Sequence, residues 1–297
     1  MSEIKHSFGN INTWTKSKLD KVEKYLKAYV TALKKQNFRL AYIDAFAGNG
    51  YVTKKINQPG QSLFEQDELL SLKYFIDGSA RLALQVDPPF HKYIFIEKSR
   101  KRCKELENLK REFPSLAERV EIVNADANDY IKKLCEKDWI TSKTRAVMFA
   151  DPYGTQVDWE TIISISETKA IDLWILFPIG TVNRLLNRNG KIIESRKRKL
   201  NKFFGDKEWF DMFFEQSKNE KLFAADNEPS FVKTTSFEKI ALYYNEKLKT
   251  IFAGVAPNPL ILTNSTNSPI FVLYFAAGNP RGAEIAVRIA EDILKKR

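Results

Sequence analysis

Four acidic residues stand where short apolar runs of the chain end. Asp44 and Glu97 close two such runs, Asp126 comes shortly after a third, and Asp151 directly follows a fourth. Apolar runs separated by helical patterns are typical of parallel strands, whose carboxyl ends meet at one edge of a sheet. We therefore expect the four carboxylates at one edge, where they can bind an amine, ribose hydroxyls and an exocyclic amino group.

The first of these acids is followed by a glycine-containing loop, Ala45-Phe46-Ala47-Gly48-Asn49-Gly50. Glycines adopt turn angles that other residues avoid, and they let the backbone approach a ligand closely. We expect Asp44 to hold an ammonium group, while Phe46, Ala47, Gly48 and Gly50 surround the amino-acid end of the ligand. This arrangement indicates S-adenosyl-L-methionine as the cofactor, with S-adenosyl-L-homocysteine as the product.

The next two acids suit the nucleoside part of the same cofactor. Glu97, followed by Lys98, can accept hydrogen bonds from both ribose hydroxyls. Asp126, followed by Ala127, can accept one from the adenine N6 amino group. A plainer interpretation stays open for each acid, because acidic residues after strands often cap the next helix.

A nicotinamide dinucleotide fits the pattern less well. Its fingerprint has a third glycine three residues after the second and an acid about 20 residues further on. Here Thr53 stands at the glycine position, and Glu97 lies much farther along the chain. We attribute the long spacing to residues 51–77, which are polar and weakly patterned and are expected to form an insertion or a mobile loop.

Asp151-Pro152-Tyr153-Gly154, after the fourth apolar run, is the candidate catalytic motif. It resembles the D/N-P-P-Y/F motif of amino methyltransferases, with the aromatic residue one position early, and also the D-P-F-G of transfer-RNA guanine-N2 dimethyltransferases. An amine that attacks a methyl group must be oriented, but it needs no strong base. We expect Asp151 and the Pro152 carbonyl to accept its N–H bonds and Tyr153 to stack on the base. The alternative is that the motif is only a turn.

Positioning these residues requires an alternation of strands and helices. Five buried runs alternate with amphipathic stretches, a helix is predicted over 236–252, and two final runs at 259–263 and 270–275 flank a polar connection. This order predicts an α/β fold: a Rossmann-like seven-stranded, mostly parallel sheet with an antiparallel C-terminal hairpin and helices on both faces. The whole chain, 1–297, is expected to be a single methyltransferase-like domain.

Residues 179–233 interrupt the alternation and are predicted to be a basic and aromatic helical insertion. Positive charge there can follow a phosphate backbone, and exposed aromatic rings can stack on bases. The alternative is a solvated helix face whose aromatic residues lie in the core. The candidate nucleic-acid contacts are Arg184, Arg188, Arg196 and Arg198, and the aromatic residues are Phe203, Phe204, Trp209 and Phe210.

Composition narrows the class of protein. The formal net charge of +11 over 297 residues favours a polyanionic partner, RNA or DNA. Two cysteines, Cys103 and Cys135, and two histidines in no ligand spacing argue against a metal site. No apolar stretch is long enough for a signal peptide or a membrane span, so a cytoplasmic protein with no membrane partner is expected.

Nearly the whole chain resembles the three-Cys-motif partner proteins (TcmP). The resemblance implies a methyltransferase-like fold and a partner, a radical-type S-adenosylmethionine protein with a three-cysteine motif, in mobile or defence-like gene clusters; it implies no substrate. The matching pieces are Leu26 with Tyr29, 42–48, Gly78-Ser79, 151–154 with Trp159, 172–175 with Phe177-Pro178, 262–265 and 269–282.

Two functions of different classes follow. The first is methylation of an exocyclic amine of a nucleic acid base, with Lys16 or Lys18 as a further candidate for the cofactor carboxylate. The second is a non-catalytic, cofactor-binding partner of the radical enzyme. Methylation of a small molecule or a protein is a third possibility, which the basic charge disfavours.

Overall fold

The computed structural model describes residues 9–48, 78–217, 230–264 and 266–295, with side chains from Asp20 onward. Gly50, the 51–77 segment and the side chains of Lys16 and Lys18 lie outside the described residues. The strands are β1 Arg39–Asp44, β2 Lys92–Glu97, β3 Val120–Asn124, β4 Thr144–Ala150, β5 Ile171–Phe177, β6 Phe214–Gln216, β7 Phe231–Lys233, β8 Gly254–Val255, β9 Leu260–Thr263 and β10 Pro269–Ala277.

Helices separate these strands. They are α1 Gly9–Leu33, α2 over residues 78–84, α3 Arg100–Glu112, α4 Ala127–Cys135, α5 Trp159–Glu167, α6 Ile179–Leu185, α7 Glu194–Phe204, α8 Glu208–Phe213, α9 Phe237–Ile251 and α10 Ala283–Lys295, with a 3-10 turn over Pro114–Arg119.

The central sheet has the strand order β3-β2-β1-β4-β5-β10-β8, and β9 also pairs with β10. The first five strands are parallel, and β10 runs antiparallel to β5. Reversal of the strand order between β1 and β4 is the switch point of a doubly wound, Rossmann-like sheet. The predicted α/β fold is confirmed.

The C-terminal hairpin is also confirmed, with one addition to the strand count. β9 pairs antiparallel with β10, and Leu262 lies opposite Phe271. The short β8 pairs with the other end of β10, where Val255 lies opposite Ala276. Two prolines, Pro257 and Pro259, fall between β8 and β9 and cannot donate ladder hydrogen bonds. The seventh position of the sheet is therefore filled by two short strands, which makes the sheet eight-stranded.

Helices cover both faces of the sheet, as predicted. One core includes Ile131 of α4, Ile162 of α5 and Tyr244 of α9. The other includes Leu26 of α1 and Ala290 of α10. Residues inside the parallel strands are buried on both sides, because each face of the sheet has its own helical layer.

The first and last helices lie side by side on the second face. Lys21 of α1 donates from Nζ to the backbone carbonyl of Ile293 in α10 at 3.0 Å. The Tyr25 hydroxyl donates to Asp172 Oδ2 of β5 at 2.9 Å, and the Gly278 N–H donates to Asp172 Oδ1 at 3.0 Å. Asp172 thus joins α1 to the turn between β10 and α10.

The described parts of 179–233 are not wholly helical. α6, α7 and α8 are followed by a two-stranded antiparallel pair, β6 and β7, in which Phe214 lies opposite Lys233. Phe203 and Phe204 of α7 and Trp209 of α8 are buried in the first core. These helices therefore pack on the same sheet as the rest of the chain.

We predict that Gly278→Ala destabilises the fold, because its Cβ would lie 2.3 Å from the Ile171 carbonyl oxygen, a backbone atom. The expected loss is about 1–3 kcal/mol of unfolding free energy, the usual cost of overpacking. Urea titration measures it. Gly282→Ala is the control, because its Cβ would meet only the Asn279 side chain, at 3.3 Å. Equal losses in the two variants would contradict the prediction.

Candidate active site

The carboxyl ends of the parallel strands bring the predicted residues to one edge of the sheet. β1 lies between β2 and β4, with Asp44 opposite Phe95 and Phe149 in the two neighbours. Glu97 is opposite Asn124 in β3. The candidate cofactor residues of β1, β2 and β3 and the motif after β4 therefore share this carboxyl edge, as the sequence predicts.

Asp44 is fully buried. The Ser79 hydroxyl donates to Asp44 Oδ2 at 2.6 Å, the Phe46 N–H donates to Oδ1 at 3.3 Å, and the Tyr42 hydroxyl lies 3.5 Å from Oδ2. Burial raises the pKa of Asp44 to about 7, and the negative charge of Glu97 adds to the rise, although the three donors oppose it. A carboxyl group with this pKa gains from a cationic partner.

The loop after Asp44 is held against both neighbouring strands. The Ala45 N–H donates to the Phe149 carbonyl at 2.9 Å, and the Ala47 N–H donates to the Ile96 carbonyl at 2.9 Å. Gly48 has a φ of 64°, in the left-handed region that favours glycine. The loop direction is therefore fixed as far as Gly48, beyond which Gly50 lies outside the described residues.

Glu97 is the second buried carboxylate of the edge. Its side chain is 8% exposed, its Oε1 accepts from the Ser99 N–H at 2.7 Å, and its Oε2 lies 3.6 Å from Nη1 of Arg102. The Cys103 thiol and the Asn124 amide both donate to the Glu97 backbone carbonyl, at 3.2 Å and 3.0 Å. These contacts hold Glu97 in place at the end of β2.

Asp126 and Lys98 form an ion pair, with Nζ 3.1 Å from Oδ2. The other oxygen, Oδ1, accepts from the Asn128 N–H at 3.0 Å, so Asp126 is also the N-cap of α4. Partial burial raises the pKa of Asp126, but the Lys98 and Asn128 hydrogen bonds outweigh it, and the net shift is downward. Asp126 therefore caps α4, which is the plainer interpretation of this residue. Its neighbour Ala127 is buried.

The Asp151-Pro152-Tyr153-Gly154 motif after β4 carries one exposed aromatic ring next to two buried residues. Asp151 and Pro152 are buried, whereas Tyr153 is 50% exposed. Gly154 has a φ of 66°, and a Cβ there would lie 3.9 Å from the Thr181 side chain of α6. Tyr153 is therefore accessible to a substrate, and the motif lies beside the start of α6.

The charges of Asp151 and Asp44 both affect the pKa of the same side chain, Tyr42. Burial first, then Asp44, raises the pKa of Tyr42 well above its usual value, and the charge of Asp151 adds to this shift. The catalytic candidate and the cofactor candidate are thus within electrostatic range of one buried tyrosine.

Two residues that we did not predict as site residues position the predicted ones. The Ser79 hydroxyl donates to Asp44 at 2.6 Å, and only the Gly78-Ser79 match to the resembled family pointed to it. Asn128 accepts from the Asp158 N–H and the Thr161 hydroxyl and donates to the Gln156 carbonyl at 2.8 Å. It ties the start of α4 to the segment after the catalytic motif, and no local pattern signals this role.

The predicted nucleic-acid arginines are all on exposed positions, but they occupy two different helical regions. Arg184 donates to the Thr181 hydroxyl at 3.1 Å on α6, beside the catalytic motif, and Arg188 follows this helix. Arg196 and Arg198 lie on α7, which packs on α5. The structure thus brings Arg184 close to the candidate active site and places Arg196 and Arg198 on another element.

The packing of the aromatic residues in this segment corrects the interpretation that they stack on nucleic acid bases. Phe203, Phe204 and Trp209 are at most 1% exposed, and Phe210 stacks on Phe214 at a ring distance of 4.8 Å. Their helical spacing buries them against the sheet. Tyr153, not this cluster, is the exposed ring near the motif.

Cys103 and Cys135 are free thiols, the first buried and the second half-buried. Within the described ranges, no group of three or more histidine, cysteine or acidic side chains is arranged to hold a metal ion. None of the helices in the same ranges combines the length and the apolar character that crossing a bilayer requires.

Comparisons with known proteins give the following. No protein-family model matches the chain, and no curated protein does. Among solved structures, a Legionella pneumophila protein of the DUF519 family is similar over 93% of this chain and 91% of its own, with 11% identity and a TM-score of 0.42. Magnesium protoporphyrin IX methyltransferase from Synechocystis, with bound S-adenosylmethionine, is 11% identical over 78% and 84%, with a TM-score of 0.30.

A third solved structure, M. jannaschii TYW2 in complex with AdoMet, is 13% identical over 78% of this chain and 79% of its own, with a TM-score of 0.26. At these identities the likeness is to the fold alone. The resemblance to the three-Cys-motif partner family stays a prediction.

We predict that Asp44 makes stability fall as the pH rises. A carboxyl group whose native pKa is raised favours the folded state at low pH, and this contribution is lost between its unfolded pKa of about 4 and its native pKa of about 7. From pH 4 to pH 8 the wild type should lose roughly 2–4 kcal/mol more unfolding free energy than Asp44→Asn does. Urea titrations across this range test it.

Asp292→Asn serves as the control, because Asp292 is exposed near the end of α10. This variant should keep the wild-type pH dependence. If Asp44→Asn has the same pH profile as the wild type, Asp44 does not titrate in this range.

Proposed function

We propose that this protein is an S-adenosyl-L-methionine-dependent methyltransferase that acts on an exocyclic amine of a nucleic acid base. The observation that carries the proposal is the meeting of the buried Asp44 carboxyl, the Gly48 loop and the Asp151-Pro152-Tyr153 motif at the carboxyl edge of the sheet. Ligands of open α/β sheets bind at this edge, next to the switch point.

The residues at the edge fit a sulfonium nucleoside carrying an amino acid. Asp44, whose pKa burial raises to about 7, would accept an ammonium group, and Phe46, Ala47 and Gly48 would line its amino-acid end. Glu97 would take the ribose hydroxyls. Asp126, Lys98 and Ala127 would lie by the adenine, although Asp126 already caps α4 and pairs with Lys98.

When bound, the cofactor would supply an electrophilic methyl group for the nitrogen of the target amine. The protein's own part is positioning. Asp151 and the Pro152 carbonyl would accept the two N–H bonds of the target amine and orient its lone pair. Tyr153, half exposed beside them, would stack on the base. A base inside a duplex would have to be flipped out or already single-stranded.

The charge of the molecule supports a nucleic acid as the substrate. Arg184 and Arg188 lie on and just after α6, and α6 starts beside Gly154 of the catalytic motif. With a net charge of +11, these cations would track a phosphate backbone into the site.

The first test separates cofactor binding from methyl transfer. Calorimetry with S-adenosyl-L-homocysteine should show binding to the wild type and to Asp151→Ala, and at least about tenfold weaker binding to Asp44→Asn, a loss of one charge-assisted contact. With tritiated cofactor over RNA, DNA and protein, Asp151→Ala should lose about 10²–10³-fold in methyl transfer. Tyr153→Phe should retain more activity than Tyr153→Ala.

Ile140→Ala is the matched control, since Ile140 is exposed just before β4 at the opposite edge. Full cofactor binding with no methyl transfer to any of the three polymers would contradict the proposed methyltransferase of nucleic acids, and it would favour the non-catalytic partner or a small-molecule substrate. Transfer to protein alone would contradict the nucleic-acid substrate.

The second test uses salt. Binding to a single-stranded oligonucleotide should weaken steeply with ionic strength, because each neutralised phosphate releases counterions. Arg184→Glu with Arg188→Glu should reduce the log–log salt slope by about one or two relative to the wild type, measured by fluorescence anisotropy. Arg288→Glu, on the exposed side of α10, should leave the slope unchanged. A slope that does not differ between the two variants would contradict the role of α6.

A further inference from the structure

A cavity lies at the opposite edge of the sheet from the candidate active site. It holds about 200 Å³ and opens between one face of α1 and one face of α10. Its floor is formed by Arg145, at the start of β4, and by Asp172, at the start of β5. These strand starts are the amino ends of the parallel strands, so the cavity is separate from the carboxyl-edge site.

Two opposite charges line this cavity. Asp172 is 6% exposed and accepts from Tyr25 and from the Gly278 N–H. Arg145 places its Nη1 3.0 Å from the Thr144 carbonyl, and its Nε is buried without a hydrogen-bond partner among the described residues. A buried donor of this kind costs free energy unless something accepts from it.

The charges of Arg145 and Asp172 do not neutralise each other. None of the ion pairs in the described ranges joins Arg145 to Asp172. Burial raises the pKa of Asp172 to about 6, while the Gly278 and Tyr25 hydrogen bonds and then the Arg145 charge oppose the rise. At neutral pH the cavity therefore presents one carboxylate and one guanidinium.

Apart from Gln36 and Asn279, the remaining walls are mostly apolar. Tyr29 and Leu33 of α1 face Ile285 and Ile289 of α10 across the opening. Ile285 is 54% exposed, so the opening is accessible from solvent. An apolar slot with a few convergent polar groups is the usual form of a small-molecule site.

We propose that this cavity binds a free α-amino acid with an apolar side chain. The carboxylate would pair with the Arg145 guanidinium, the ammonium would pair with Asp172, and the side chain would lie between Leu33 and Ile285. A zwitterion satisfies both charges, whereas a simple amine or a simple carboxylate meets one attractive and one repulsive group. The site is independent of the proposed methyl transfer.

The test is calorimetry on the full chain with L-phenylalanine and L-leucine as probes. We expect at least one to bind with a Kd below about 5 mM. Phenethylamine, which lacks the carboxylate, and 3-phenylpropionate, which lacks the ammonium, should bind at least about tenfold more weakly, since each loses one charge-assisted contact. Binding of either analogue as tightly as phenylalanine, or of neither amino acid, overturns the proposal.

Variants locate the site. Asp172→Asn and Arg145→Met should each weaken amino-acid binding about tenfold or more, each through a lost charge. Because Asp172 also joins α1 to the turn before α10, Ile285→Asp provides a variant at the exposed opening that does not threaten folding, and it should weaken binding similarly. Asp44→Asn should bind like the wild type, which shows that the amino acid does not occupy the carboxyl-edge site. Wild-type affinity in Ile285→Asp, or loss in Asp44→Asn, overturns the assignment.

Discussion

The burial of the Asp44 carboxyl at the end of the central strand is the interaction on which the carboxyl edge depends. Removing a carboxylate from water is costly unless donors or a counter-charge replace the solvent. Here the Ser79 hydroxyl on α2 and the Phe46 N–H donate hydrogen bonds to Asp44, but neither donor carries a positive charge. The raised pKa of Asp44 is the sign that this compensation is incomplete. A cationic ligand is the kind of partner that would complete it.

Hydrogen bonds that involve backbone groups also hold the other residues of the carboxyl edge in place. The loop after β1 cannot turn away, because Ala45 and Ala47 donate to the strands on either side. Asn128 fixes the start of α4 to the segment after Pro152 and Tyr153 through three hydrogen bonds. These contacts lock the relative placement of cofactor and substrate candidates before any ligand arrives, which is what catalysis by positioning requires.

Much of this arrangement could be predicted from the sequence. The runs ending at Asp44, Glu97 and Ala150 are unbroken apolar stretches, and strands covered on both faces leave that signal. The order of those runs then places their last residues at one edge. The hairpin of β9 and β10 was predictable for the same reason, since a polar connection separates two apolar runs.

What the sequence could not indicate depends on contacts between distant segments. The hydrogen bond from Ser79 to Asp44 joins residues 35 positions apart, and the bonds of Asn128 to the 156–161 segment join residues about 30 apart. The aromatic residues of α7 and α8 have the same composition whether they face solvent or the core, so only their packing decided between base stacking and burial. The short β8 was missed because two residues are too few to form a pattern.

The contact between Lys21 and Ile293 has a consequence for how the molecule is made. It joins two residues 272 positions apart, and between them lie the strands on which both helices pack. Loop closure over such a span is slow, and a ribosome delivers the early segment long before the late one. During synthesis the apolar face of α1 therefore stays without its α10 neighbour until that helix has been made.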